Sequence, residues 1–410
     1  MATCRRSLLT LSLLAFLVPT AMAEDWPGWR GPHGDGTTTD SGPLTWGPNK
    51  NIAWRTPIPG IGRSSPIVSG GRVYVTSGVE EDLSRRMIAL DAGNGRVLWN
   101  AVVHTGPAGQ AHRQNTTASS TPVTDGKRVY AVFVDDTAMT VVAVDTNGEV
   151  AWRVEPGTYY SQHGFAASPV LTDYGLVING QQDGDNSFVV TLDPETGKEV
   201  WRYRPATNLR SFSTPVLIEH NGQEQLILSG SSETVGLDPA TGKLIWSTDG
   251  PSQKFVCTPS VGHGLVFSFG GSPSKSGYAI PLGKTGKLKY SDLAWKLDRS
   301  MPYVPSPVLF GDYLHIANDQ GIYTCIEPAT GKVLLTERRF GKVYSSPVAA
   351  GDRIYIFEDS GACTVIANGP DFQELARNEL GDVLIQTTPA IVDGSLFIRT
   401  EQDVIAIREQ

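Results

Sequence analysis

The sequence predicts an all-β chain, an eight-bladed β-propeller of four-stranded antiparallel blades, and three observations predict it. A Ser/Thr-Pro pair recurs eight times, at Ser65-Pro66, Thr121-Pro122, Ser168-Pro169, Thr214-Pro215, Thr258-Pro259, Ser306-Pro307, Ser346-Pro347 and Thr388-Pro389. Successive prolines stand 56, 47, 46, 44, 48, 40 and 42 residues apart, a period typical of blade repeats. Each pair opens short alternating apolar runs broken by Gly- and Asp-containing turns, the pattern of antiparallel strands.

Residues 1–23 read as a secretory signal, with Arg5 and Arg6 as its charged start, an apolar stretch over 8–18 and the small-residue cleavage site Ala21-Met22-Ala23. Twin-arginine export is the alternative route, although Cys4 and Thr10 depart from its pattern. The apolar stretch is short for a bilayer span, and no cysteine directly follows the small residues near position 23 to accept a lipid. A periplasmic or secreted protein with no transmembrane segment after signal removal is expected. Losing two arginines leaves 32 basic against 42 acidic side chains, a formal charge of −10, which argues against nucleic acid as a partner. Cys257, Cys325 and Cys363 remain, an odd number that rules out a disulfide framework.

Residues 24–50 form a Gly/Pro/Trp-rich lead beginning Trp26-Pro-Gly-Trp29, expected to tuck two indoles against the propeller. Residues 51–410 are the single propeller. In its seventh unit, 347–349, 353–357 and 361–367 read as strands; in the fourth, 235–237 and 244–246 flank a tight hairpin. That hairpin recurs from Asp91, Asp145, Asp193, Asp238 and Glu327. The carboxylate accepts hydrogen bonds from the turn, and the closing glycine takes the left-handed conformation. Trp99, Trp152, Trp201 and Trp246 follow these hairpins and are expected to fill seams between blades. The last unit supplies three strands, so residues 51–58, with Trp54, are expected to provide its fourth and close the ring.

Proline lacks an N–H and suits the unpaired edge of a channel-facing first strand, and the preceding hydroxyl can serve orphan backbone groups. One position further upstream stand Ser64, Ser120, Ala167, Ser213, Cys257, Pro305, Ser345 and Thr387, all small and expected to wall the axis. Three segments break the repeat: a polar insertion over 104–118, a distortion over 271–292 and a substituted hairpin over 368–372. Insertions on a regular scaffold are where function concentrates.

The run Asp-Pro-x-Thr-Gly-Lys-x-x-Trp at 193–201 and 238–246 resembles the pyrroloquinoline-quinone-type propeller repeat family. The resemblance implies the fold but two functions, since the family holds both calcium-dependent quinoprotein dehydrogenases and assembly proteins of the BamB type that carry no quinone. This sequence has no adjacent cysteines and no carboxylate-amide set that rises above the repeat, so no catalytic residue is assigned. His104, His112, His163 and His263 lack tight metal-ligand spacing. The expectation is a non-catalytic scaffold for cell-envelope protein partners, with no cofactor and no metal. The alternative is an alcohol or sugar dehydrogenase using the quinone (PQQ) with calcium.

Topology puts the loops before each Ser/Thr-Pro, and those after each second strand, around one funnel mouth. Arg63, His163, Arg210, Lys254 and Lys342 fall there, to hold an acidic ligand or to pair with Asp136, Asp183, Asp185, Glu233, Asp319, Asp359 and Asp403. A polar pocket is expected where His112, Arg113 and Asn115 meet Gln162, His163, Gln182 and Asp183.

Overall fold

A computed structural model describes residues 24–109, 111–136 and 138–409; the signal read over 1–23 lies outside the described residues. Eight sheets, each built on four antiparallel strands, succeed one another along the chain, and in all but the fifth a short inner strand leads to a longer outer one. Blade one is representative, with strands Ile67–Ser69, Arg72–Val79, Ser84–Asp91 and Val97–Thr105. Its middle strands are almost wholly buried while the outermost alternates, as expected where blades stack face to face. Blade eight takes Ala390–Val392, Ser395–Arg399 and Asp403–Arg408 from the C-terminal end and Ile52–Pro57 from the N-terminal end, with Trp54 opposite Ala406. The ring is closed by pairing both ends of the propeller.

The repeated Ser/Thr hydroxyls stitch neighbouring blades together at the axis. All but Thr258 accept the backbone N–H of their counterpart one blade earlier: Ser65 N to Thr121 Oγ1 at 2.9 Å, Thr121 N to Ser168 Oγ at 3.1 Å, Ser168 N to Thr214 Oγ1 at 3.1 Å, and likewise from Thr258 N to Ser306 and onward through Ser346 and Thr388 back to Ser65. Seven of the eight links are made. At the remaining position, Thr258 Oγ1 accepts the indole N–H of Trp29 at 2.9 Å instead.

Around the rim, most seams carry an indole lock. Trp54, Trp99, Trp152 and Trp201 donate Nε1 to Ala92, Thr146, Pro194 and Pro239 in the next blade's hairpin, at 2.9–3.0 Å. Trp295 does the same to Pro328 at 2.7 Å. Trp246 differs, because its N–H turns to Gln225 of its own blade at 2.8 Å. The distorted segment explains this: Gly286–Leu288 runs parallel to Leu244–Asp249 and covers the indole. Between blades six and seven there is no indole; buried His315 bonds Tyr323 Oη at 2.7 Å and Asn368 Oδ1, in the substituted hairpin, at 2.9 Å. Between blades seven and eight, Trp46 of the lead stacks on Tyr355 and Phe357.

The lead does more than tuck against the surface. It threads the channel and pairs with inner strand edges, Trp26 with Val68 at 2.8 Å in both directions and Thr37–Thr38 in parallel with Val348–Ala350. Pro27 accepts from Thr124 N, and Asp40 accepts from Asp393 N. Arg30, fully buried, donates to the carbonyls of Ser306 and Pro307. These contacts use the unpaired edges that a propeller axis leaves open.

Candidate functional site

With the lead in place the channel becomes two chambers separated at Trp29. The chamber below, about 430 Å³, lies between the lead and the inner strands of blades two to four, with Val123, Val170, Leu171 and Leu217 in its wall. The chamber above, about 380 Å³, opens to the funnel mouth.

Its wall follows from strand alternation. The residue immediately before the repeat proline and the residue three before it share a face, and the one between them points the other way. The lower tier is thus Ser65, Thr121, Ser168, Thr214, Thr258, Ser306 and Ser346. The upper tier is Arg63, Ser119, Ala166, Phe212, Val256, Val304, Tyr344 and Gln386, one residue from every blade. Trp29 is the floor, and His112, Gln114, Asn115, His163 and Tyr303 form the rim. The expectation that the small residues one position upstream wall the axis is corrected here. They turn into the blade seams; Cys257 aims its thiol at the carbonyls of Tyr303 and Pro305 at 3.4 and 3.3 Å, and burial raises its pKa, so the thiolate is disfavoured. Cys325 and Cys363 are likewise buried and unbridged.

The insertion reaches the mouth because its stem is pinned. Arg85 and Asp135, both buried, pair at 2.7 Å, His104 Nε2 meets the second Asp135 oxygen, and Arg85 also donates to Gly106 at 3.2 Å. Beyond the stem, Asn115 Nδ2 donates to the His163 carbonyl at 2.7 Å, Gln114 Nε2 crosses to Tyr344 Oη, and Arg63 Nη1 donates to the Arg113 carbonyl at 3.3 Å. The rings of His112 and His163 stack, 5.7 Å between centroids and 22° between planes, so their in-plane lone pairs do not converge on one metal. Burial lowers the His163 pKa, and Arg210, His112 and Lys254 lower it further.

Of the expected pocket residues, His112, Asn115, His163 and Arg63 do line one cavity. Arg113 and Gln162 are exposed outside it. Gln182 is buried and consumed, accepting from Tyr160 N at 2.7 Å and donating to Thr158 and Asn186 carbonyls. Asp183 is taken up by an ion pair with Arg210. Lys254 is half-buried away from the lining and Lys342 is exposed, so the basic residues do not form one ring. Sequence reasoning missed Trp29, Phe212, Tyr303, Tyr344, Gln114 and Gln386. The signal for most of the wall was present: three residues before every repeat proline is the cavity-facing position, whereas the basic residues singled out stand five or six before it, Arg63 excepted.

A family profile described as outer membrane protein assembly factor BamB matches residues 38–153, 113–333 and 292–410. The chain belongs to this PQQ-like propeller family. BamB from Yersinia pestis is 24% identical over 72% of this chain and 68% of its own length. The quinohemoprotein alcohol dehydrogenase ADH-IIG of Pseudomonas putida is 29% identical over 34% of this chain, a stretch that spans only 19% of the dehydrogenase. Among solved structures, BamB from Moraxella catarrhalis has a TM-score of 0.60 at 12% identity, covering 87% of this chain and 99% of that one. The quinohemoprotein alcohol dehydrogenase of Comamonas testosteroni has a TM-score of 0.55 at 11% identity, covering 93% and 80%. These likenesses show the fold that the PQQ-like family shares.

The family poses a test for the cavity. Calcium takes six to eight oxygen ligands, with carboxylates prominent among them. Among the described residues, the lining offers hydroxyls, amides, imidazoles and one guanidinium, but no Asp or Glu. This donor set does not fit a calcium-bound quinone.

Proposed function

We propose that the chain is an exported, non-catalytic propeller that acts as a protein-interaction scaffold in cell-envelope protein assembly. The observation that carries this reading is the carboxylate-free wall of the axial cavity, in a chain whose likeness to the Yersinia BamB runs through most of both sequences. A quinone-linked oxidation would need a metal carboxylate beside the ring, and among the described residues none lines the axial cavity. On the outer surface, the fourth strands expose Val97, Val102, Val150, Val200 and Val333, apolar groups that a partner could cover. Among the described residues no helix is long and apolar enough to cross a membrane. The deciding experiment has two arms. Affinity capture from envelope extracts should recover an outer-membrane assembly protein in stoichiometric amount. Purified protein given quinone and calcium should not reduce dye with alcohols or sugars; stoichiometric binding with turnover would overturn the scaffold reading in favour of the dehydrogenase.

A further inference from the structure

The lower tier of the cavity has an imbalance of donors. A serine or threonine hydroxyl carries one donor and two acceptor lone pairs. All eight repeat hydroxyls accept one N–H, seven from the neighbouring blade's backbone and the eighth, on Thr258, from the Trp29 indole. None of them donates to a protein acceptor among the described residues. Seven of the eight line the cavity, so seven O–H groups converge around its base with nothing in the protein to receive them.

The surrounding charge selects among candidate occupants. No carboxylate lines the chamber among the described residues, while the Arg63 guanidinium stands in the upper tier, 3.8 Å from Glu401, which lies outside the lining. Beneath the floor, Arg30 donates to the Ser306 carbonyl at 3.1 Å. Burial lowers its pKa to about 10, so it stays cationic at neutral pH. A cation would meet positive charge from two sides; an acceptor-rich anion would meet donors and positive charge together. The chamber is blind at Trp29, so a ligand enters from the funnel with its acidic group leading. Phe212, Tyr303 and Tyr344 are then placed to cover its carbon atoms.

We propose that this crown of hydroxyls is a binding site for a small oxyanion group, carboxylate or phosphate, carried by a compact ligand. The site is independent of the scaffold reading, since it rests on the channel and not on the outer surface.

Calorimetric titration of the full chain with citrate, with inorganic phosphate and with neutral sorbitol tests it. Citrate or phosphate should saturate with a Kd below about 1 mM, and sorbitol should not. Binding of citrate alone marks a carboxylate site, and binding of phosphate alone a phosphate site; either supports the proposal. Thr214→Val removes one crown hydroxyl and Arg63→Gln removes the upper-tier charge without touching the crown. Each should weaken binding by roughly tenfold to a hundredfold, in line with the loss of one charge-assisted hydrogen bond. If Thr214→Val does not fold, Arg63→Gln and the wild-type titrations decide alone. Absence of saturation by either anion at about 10 mM, equal binding of sorbitol, or wild-type affinity in the folded variants would sink the proposal. Loss of partner capture with anion binding intact would remove only the scaffold reading.

Discussion

Blades three and four meet through an indole, whereas blades six and seven meet through an imidazole. In the first seam, Trp201 lies over the hairpin turn at Gly242 and donates to Pro239 at 2.9 Å. In the second, His315 spans Tyr323 and Asn368. Both join a strand of one blade to the hairpin region of the next and satisfy a buried N–H. The difference lies in titration: an indole keeps its proton across the whole biological range, and an imidazole does not. One repeated junction can therefore be rebuilt from another side chain, but the substitute brings a pH dependence that its neighbours lack.

Four measurements probe that contrast. The largest effect is expected from Trp201→Ala, which should cost about 3–5 kcal/mol in urea unfolding, because a buried ring is lost and the Pro239 carbonyl is left without its donor. Next comes acid. Burial lowers the His315 pKa from 6.5 to about 4, so between those values the unfolded chain binds a proton that the folded chain refuses. The stability from this site is complete above pH 6.5 and falls by on the order of 3 kcal/mol as the pH drops toward 4. The difference in urea midpoint between wild type and His315→Gln, followed from pH 7 to 4.5, isolates it; parallel curves would remove His315 from the account.

Turn substitutions sharpen the comparison further. Gly242 has φ +69° and a Cβ there would stand 2.4 Å from the Trp201 ring, whereas a Cβ on Gly369 in the other hairpin meets nothing within 4 Å. Gly242→Ala should cost about 1–3 kcal/mol and Gly369→Ala close to nothing, read as shifts in Tm. Apart from the neutral Gly369→Ala, the smallest effect belongs to the axis that both seams share: Ser346→Ala removes one link of the hydroxyl ring and should cost about 1 kcal/mol.

The fold was largely written in the spacing of eight prolines, because each blade needs an edge position without an N–H and a tight turn every few residues. The N-terminal closing strand was readable for the same reason, since the last unit runs one strand short. The site was less legible. His112, Asn115, His163 and Arg63 were recognised as polar residues on the correct face, but Gln182, Asp183 and Arg210 occupy that face too and spend their polarity on internal bonds. Local sequence does not distinguish a solvated group from a consumed one; the partners lie in other blades. Trp29 escaped for a related reason. Its Gly/Pro-rich surroundings carry no periodicity, and the strand edges that receive the lead lie as far away as Ala349, which pairs with Thr37. Trp246 repeats the motif of Trp201, yet a non-repeating strand at Gly286–Leu288 redirects its bond.

The threaded lead also imposes an order on events. Arg30 bonds carbonyls 276 and 277 residues further along the chain, and Thr37 pairs with Ala349. Those acceptors become strand edges only once blades six and seven exist, so the N-terminal residues must wait for nearly the whole chain before they find their places. Contacts of such sequence separation form slowly. The floor of the cavity is thus among the last parts of the molecule to be built, and the ligand chamber exists only after the ring around it is complete.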